Sequence, residues 1–563
     1  MLAHLNYVPV PLAFGTSGLR GLVTDITDLE AYINVVGTLR YLARSRDIRP
    51  ASTIVLGGDL RPSTERIMRA CAQAVLDWGG AVEYCGNIPT PALIYRSMTT
   101  ARAGVMVTGS HIPFDRNGIK INKSVGEILK SDEAGILAEV ERARNEEYGR
   151  SPSASPFDAS GMLKRAAPLP PRDSRAELAY IARYVDGFAR VSLSGLRVLV
   201  YQHSAVGRDI LATILTALGF EVVTAGRSDT FVPIDTENIT SAQLELLEGL
   251  ATAAETAGRP LDAIVSTDGD SDRPLVLATV AAGPVISAGR RVRFLPGDLL
   301  GLVAAEYLGA DAAVVPISAN DAVERRMRES GVILVKSKIG SPYVIAALEG
   351  LRGVGGYNRI VGWEANGGFL TATDIGLKGA SIRALPTRDA VLPIVATLFA
   401  AVGQGITLSA LWDRLPARFG AAGLLDNFPV AVSQTILANL VPPGDVIEVE
   451  FANSGQALDR SSAGTAPAAL GKSATEEWLK RKAILEKVFT AALGFTDIAR
   501  LNVLDGARIY FANGDIAHIR PSGNAPQLRI YANSDSQQRA DRLVELALRE
   551  PDGILRQLER AFT

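Results

Sequence analysis

The sequence predicts an α/β protein of several domains that ends in a C-terminal α+β domain. Three observations predict it. Short β-branched runs alternate with amphipathic helical stretches through most of the chain, the pattern of mixed, largely parallel sheets covered by helices. At 563 residues the chain is too long for one hydrophobic core, so about three to five domains are expected. Near the end the pattern changes to two alternating runs around Asn513-Gly514, a strong hairpin signal.

The expected domains span 1–172, 173–294, 295–424 and 425–563. In the first, DLEAYINVVGTLRYLARS places Leu29, Ile33, Val36 and Leu39 at helical spacing. The strand-like TIVLGG, the helix TERIMRACAQAVLDWG, then AVEYCG and AGVMVTGS follow. The Ser/Pro/Ala-rich stretch 151–161, with LPPRD soon after, reads as a flexible passage or exposed insertion. The second domain carries GLRVLVYQ, a helix over 206–218, EVVTAG, a helix near 240–257 and DAIVSTDGD. The third runs from LPGDLLGLVAAEYLG through AAVVPIS and VILVKSKIG to YNRIVGWEANGG. In the last, the hairpin GARIYFANGDIAHIR is followed by the strand QLRIYAN and the helix SQQRADRLVELALRE. The segment 452–475 is poor in large apolar residues and reads as a mobile insertion.

A formal charge of −2 argues against nucleic-acid or acidic-membrane partners, so any anion chemistry must rest on local basic groups. Cys71 and Cys85 cannot build a disulfide framework, and their spacing fits no metal motif, which leaves them as core filler. The N-terminus lacks a basic stretch followed by an apolar one, so no secretory signal is expected. The longest apolar run, 390–403, is too short and interrupted to span a bilayer. The expectation is a cytoplasmic protein.

Four polar loops could carry chemistry, three of them at the ends of strand-like runs, where doubly wound sheets bind ligands. The first, VMVTGSHIPFDRNGIK, ends an apolar run on Gly109-Ser110 beside His111, with Lys120 a few residues on. Taken alone it also reads as a polar turn with a helix-capping serine. The second, STDGDSDRP, sets Asp268, Asp270 and Asp272 at alternate positions, where mutual repulsion calls for a cation or for Arg273. Arg273 and Thr279 stand where a calcium-sensing loop needs glycine and glutamate; three hard carboxylates suit Mg²⁺ with water and a phosphate oxygen. The third, GWEANGG, offers Glu364 and Asn366 on one side of an extended segment, an acceptor and donor set for sugar hydroxyls. In the fourth, RPSGNAPQLR, Arg520 and Arg529 flank Ser522, Gly523 and Asn524, a donor set shaped for phosphate without the lysine or spacing of a P-loop. A hydroxyl, a divalent metal, sugar-binding groups and a phosphate clamp together suit phosphoryl transfer on a phosphorylated sugar.

On these residues the chain resembles the α-D-phosphohexomutase family, which includes phosphoglucomutases, phosphomannomutases and phosphoglucosamine mutases. FGTSGLRG, TGSHIPFDRNGIK, DGDSDR, WEANGG and RPSGNAPQLR resemble the family's N-terminal, phosphoserine, metal, sugar and phosphate motifs, in order over essentially the whole chain. The resemblance implies three consecutive α/β domains and an α+β domain around a central active-site cleft. It implies that Ser110 carries a phosphate and that Asp268, Asp270 and Asp272 hold Mg²⁺ with it. Arg20, Lys120 and His111 would serve the transfer. Arg273, Lys338, Glu364 and Asn366 would contact the sugar phosphate, and Arg520, Ser522, Gly523, Asn524 and Arg529 its remote phosphate.

The implied cycle passes through a hexose 1,6-bisphosphate, which also acts as activator, in a monomer or homodimer. Two departures stand out. In place of the usual Gly-Glu-X-Ser-Gly-His, Trp363 precedes Glu364 and Asn366 and Gly368 replace the serine and histidine, and in the phosphate motif Asn524 replaces a threonine. The motif combination is most similar to bacterial members that interconvert mannose 6-phosphate and mannose 1-phosphate. Glucose or glucosamine phosphates as substrate, or hydrolysis of a sugar phosphate, remain the alternatives on the residues themselves.

Overall fold

In TIVLGG every residue after the first is buried, as a strand covered on both faces requires. This strand, Thr53–Gly58, pairs in parallel with Ala81–Asn87 on one side and Gly104–Val107 on the other. The sheet then continues antiparallel through Arg116–Lys123, Leu19–Leu22 and Ala13–Phe14. The computed structural model describes all residues except 1–4, 16–17, 166–167, 190–194, 281–290, 443, 453, 462–465, 522–525 and 563. By its internal contacts the chain divides into two compact units, one of residues 1–311 and 340–412, the other of residues 312–339 and 413–563.

In the first unit the helix Asp28–Arg44 begins at Thr27, whose hydroxyl accepts from the Glu30 backbone N–H. It packs on the helix Lys130–Tyr148 at a crossing only glycine permits, since a Cβ on Gly37 would lie 2.5 Å from the Cα of Val140. The stretch 151–161 is not the loose passage its composition suggests. Phe157 is buried edge-on against Tyr32 and pairs with Leu163, so one aromatic ring fastens the segment to the core. Cys71 and Cys85 are buried, in a helix and a strand.

A second sheet in this unit has a parallel core of Arg197–His203 with Glu221–Arg227 and Ala263–Thr267, extended antiparallel by Pro274–Thr279 and Val292–Phe294. Further on, Ile360–Trp363, Phe369–Thr371 and Leu385–Asp389 pair antiparallel. The sheets are thus more mixed than expected. A strand leaving a chemistry-bearing loop returns directly beside the strand that entered it, and a direct return is necessarily antiparallel.

In the second unit Ala312–Pro316 pairs in parallel with Ile333–Ser337. An eight-stranded antiparallel sheet contains the expected hairpin, Ala507–Phe511 with Ile516–Pro521, turning at Asn513-Gly514 with Gly514 at φ 88°. Within the segment 452–475, the described residues form regular structure that the expectation of a mobile insertion did not include. Ala457–Asp459 pairs with both Glu448–Phe451 and Ala468–Ala469, and the helix Lys472–Glu486 starts within it. Its few apolar residues mark a sheet edge held by backbone hydrogen bonds rather than an absence of structure. Among the described residues no helix is long and apolar enough to cross a membrane.

Candidate active site

Three of the four loops lie in the first unit, each the turn between a strand and its antiparallel return. Gly104–Val107 leads into the Ser110 loop and returns as Arg116–Lys123. Ala263–Thr267 leads into the aspartate loop and returns as Pro274–Thr279. Ile360–Trp363 leads into the Glu364 loop and returns as Phe369–Thr371.

Ser110 is fully buried and left-handed, φ 56°, a conformation that costs a non-glycine residue about 1–2 kcal/mol. Its surroundings hold it there. Its N–H donates to Thr108 Oγ1 at 2.8 Å, and Thr108 donates to Asp59 Oδ2 at 2.7 Å. Arg61, paired with Asp59 at 3.1 Å, donates from Nη2 to the Ser110 and Ile112 carbonyls and from Nη1 to those of Pro113 and Arg116. Its guanidinium lies 4.0 Å from the centroid of the Phe231 ring. A Cβ on Gly109 would sit 2.7 Å from Arg61 Cζ, so glycine is needed for the arginine to reach the loop.

The side chain of Ser110 faces the aspartates: its Oγ donates to Asp268 Oδ2 at 2.9 Å. A Cβ on Gly269 would lie 2.6 Å from the Ser110 carbonyl oxygen, so glycine again lets the two loops meet. Asp268 Oδ1 accepts from the backbone N–H groups of Asp272 and Arg273. Asp270 Oδ2 accepts from Thr90 Oγ1 at 2.6 Å and Lys120 Nζ at 2.7 Å. Asp272 Oδ2 accepts from Lys120 Nζ at 3.1 Å and from Arg388 Nε and Nη2 at 3.1 and 2.9 Å.

The remaining oxygens decide what the cluster fits. Asp270 Oδ1 and Asp272 Oδ1 are buried with no hydrogen-bond partner among the described residues, an arrangement that costs heavily unless a ligand completes it. The three carboxylates present oxygens within 4.8 Å of one another, and a hard divalent cation matches that donor set.

Burial, then repulsion from Asp270 and Asp272, raises the Asp268 carboxyl well above its ordinary range. Burial also opposes ionisation of Asp270, but Lys120 and Thr90 outweigh it and hold that carboxyl below the usual range. Lys120 responds in kind. Its burial is outweighed by Asp270 and Asp272, which raise its pKa and keep it an ammonium. Arg20, on Leu19–Leu22, is shifted down by burial and by Arg273 and Arg388, the mark of crowded cations. Arg273 lies 3.9 Å from Asp268 and 3.7 Å from Asp272. Burial, Arg273 and Arg20 push His111 down to about 3, so its imidazole is neutral, and its buried Nδ1 has no hydrogen-bond partner among the described residues.

The third loop differs from the expected extended segment. Gly367 N–H donates to the Glu364 carbonyl at 2.9 Å with Gly367 at φ 83°, so a tight turn separates Glu364 from Asn366. Asn366 Oδ1 accepts from the Gly368 N–H, which commits that oxygen to the turn. Glu364 Oε1 instead accepts from Arg388 Nη1 at 3.3 Å.

The other expected residues belong to the second unit. Arg520 and Arg529 stand directly opposite each other on paired strands, where like charges repel unless an anion joins them. Asp505 accepts from Arg520 Nε at 3.1 Å and from the Ile339 N–H, next to Lys338, at 2.9 Å. Ser522, Gly523 and Asn524 lie outside the described residues, as do Thr16 and Ser17 of FGTSGLRG. Asp59, Arg61, Arg388 and Asp505 escaped the sequence reading. The signal for the first two was present: Asp59-Leu60-Arg61 follows the carboxyl end of a buried strand.

Models of the phosphoglucomutase/phosphomannomutase family match this chain in three places, alpha/beta/alpha domain I over 11–147, alpha/beta/alpha domain III over 296–419 and the C-terminal domain over 472–549. A phosphomannomutase of Sinorhizobium fredii is 37% identical over 95% of this chain and 98% of its own length. One of Salmonella muenchen is 36% identical over 95% and 94%. The fold is shared with a phosphoglucomutase/phosphomannomutase family protein from Burkholderia thailandensis, with a TM-score of 0.61 at 18% identity over 97% of this chain and 96% of that one. With motifs, fold and whole-length relatives in agreement, the chain belongs to the phosphoglucomutase/phosphomannomutase family of α-D-phosphohexomutases and is an intramolecular phosphotransferase.

Proposed function

We propose that the protein is a phosphomannomutase that interconverts mannose 6-phosphate and mannose 1-phosphate through phospho-Ser110 and a hexose 1,6-bisphosphate. The observation that carries this reading is the Ser110 hydroxyl, buried and hydrogen-bonded to one of three clustered aspartates, two of which keep an oxygen with no hydrogen-bond partner among the described residues. Mannose as the sugar is supported by the relatives named above.

Asp268, Asp270 and Asp272, with the phosphate on Ser110, would hold Mg²⁺, which when bound neutralises charge on the phosphoryl oxygens. The rest is work for the chain's own residues. As the P–O bond to Ser110 breaks and one to a sugar hydroxyl forms, the hydroxyl proton must leave and Ser110 Oγ must take up charge. Lys120 and Arg20 supply fixed positive charge for that change. Lys120 is a poor proton acceptor because two aspartates hold it protonated. His111 is neutral with an open Nδ1, and a phosphate dianion beside it would raise its proton affinity, which suits it to move the proton. Reversal from the other end of the bisphosphate returns the phosphoryl group to Ser110. Arg520 and Arg529 with the Ser522–Asn524 loop would take a phosphate in the second unit, and Glu364 would accept from a sugar hydroxyl.

Parallel turnover of mannose, glucose and glucosamine 1-phosphates, with Mg²⁺ and a trace of hexose 1,6-bisphosphate, tests the assignment. Highest kcat/KM on mannose 1-phosphate is expected. Higher kcat/KM on glucose 1-phosphate would make the protein a phosphoglucomutase, and net release of inorganic phosphate would make it a hydrolase.

A further inference from the structure

Gly368 stands where the resembling enzymes commonly carry histidine, and its glycine is not explained by backbone conformation, since it is not among the glycines of positive φ. Space explains it. A Cβ on Gly368 would lie 2.7 Å from both Cδ and Cγ of Arg388 and 2.9 Å from its Cβ, so a side chain at 368 and the present path of Arg388 exclude each other. The stem of Arg388 occupies the room that the glycine leaves.

That path ends between two functional carboxylates. Arg388 is buried, donates from Nε and Nη2 to Asp272 Oδ2 at 3.1 and 2.9 Å, and reaches Glu364 Oε1 from Nη1 at 3.3 Å. A planar guanidinium can hold both at once in a fixed geometry, which a lysine ammonium cannot. The backbone beneath it is fixed. Asp389 accepts from Tyr180 Oη at 2.6 Å, from Arg183 Nη1 at 3.0 Å and from Tyr184 Oη, and it pairs with Phe369 across the sheet. Arg388 and Lys120 together occupy Asp272 Oδ2, while Oδ1 has Arg273 at 3.7 Å but no hydrogen-bond partner among the described residues and is the oxygen left to ligate a cation.

We infer that Arg388 is a positioning residue that joins the sugar-reading carboxylate Glu364 to the metal-site carboxylate Asp272, and that residue 368 is glycine in order to admit it. The inference rests on the functional reading above. It makes sugar recognition and cation binding two outputs of one side chain, although the two loops are far apart in sequence.

The test uses the full-length protein with Arg388→Met, Arg388→Lys, Gly368→Ala and the Gly368→Ala/Arg388→Met pair. Two readouts are taken, the Mn²⁺ dissociation constant without sugar and the KM for hexose 1-phosphate at saturating Mg²⁺. Arg388→Met should weaken Mn²⁺ binding and raise KM, each by about tenfold or more. Gly368→Ala, which adds one methyl group, should reproduce both changes by displacing Arg388 and should add nothing in the Arg388→Met background. Arg388→Lys should restore Mn²⁺ affinity but not KM. Wild-type Mn²⁺ affinity in Arg388→Met, or additive effects of the two substitutions, would overturn the inference while leaving the mutase reading in place. No Mn²⁺ binding by the wild type would defeat the metal-site reading itself, and the inference with it.

Discussion

Arg61 Nη2 donates to the carbonyl oxygen of Ser110 at 2.8 Å, and through its other contacts the same guanidinium fixes the loop on which Ser110 adopts φ 56°. The hydroxyl is placed by a residue 49 positions earlier in the chain. Arg61→Lys keeps the charge but loses the fork, so kcat should fall by about 10- to 100-fold as Ser110 loses its geometry. KM should change much less. Arg61→Met should also destabilise the fold by about 3–5 kcal/mol, because Asp59 would be left buried and unpaired. Steady-state kinetics and denaturant titration check the two claims separately.

Filling the aspartate site should stabilise the protein. Three buried carboxylates gain a counter-charge, and Mg²⁺ at a hundred times its dissociation constant should add about 2.7 kcal/mol to the unfolding free energy. Asp270→Asn should lose most of this increment. Denaturation with and without a chelator measures it, and turnover should stop in chelator and return with added Mg²⁺.

Removing Arg529 should separate binding from stability. Arg520 and Arg529 face each other on paired strands, so Arg529→Gln relieves a like-charge contact while removing one guanidinium of the proposed phosphate clamp. The expected result is a KM raised about tenfold or more with a melting temperature unchanged or higher. A lower melting temperature with unchanged KM would make the pair purely structural.

His203 should give the fold a measurable acid sensitivity. Burial holds its imidazole down to about 4 from an ordinary 6.5, so the unfolded chain binds more protons than the folded one between those values. The stability tied to this neutral imidazole is complete above pH 6.5 and is lost as the pH falls toward 4. At about 1.36 kcal/mol per pH unit the loss is roughly 3 kcal/mol. His203→Asn, a residue type that tolerates the positive φ at this position, should flatten the profile in that window.

The sequence makes Ser110, Lys120 and the three aspartates legible because Ser110 and the aspartates lie on glycine-bearing loops at the ends of apolar runs and Lys120 lies on the strand that returns from the first of them. The structure hydrogen-bonds Ser110 to Asp268 and Lys120 to Asp270 and Asp272, and it gathers oxygens of the three carboxylates within 4.8 Å of one another. What braces those loops was hidden for a physical reason. Arg388 hydrogen-bonds Asp272 from 116 residues away and sits in the short strand Leu385–Asp389, where no motif marks it. Its contacts with Asp272, Glu364 and Gly368 exist only once the chain is folded. Strand direction was hidden in the same way, since a short loop's return path decides whether the next strand runs parallel or antiparallel. Phe157, the one large aromatic in a polar passage, was the available clue that 151–161 is held to the core.

In the mutase proposed above, Ser110 carries the phosphoryl group through turnover. Intact-mass and peptide analysis after incubation with a hexose 1,6-bisphosphate and Mg²⁺ tests it most directly. One phosphoryl group is expected, located on Ser110 and lost on addition of excess hexose monophosphate as bisphosphate forms, with Ser110→Ala unlabelled and without mutase activity. Phosphate on another residue, or full turnover by Ser110→Ala, would contradict it.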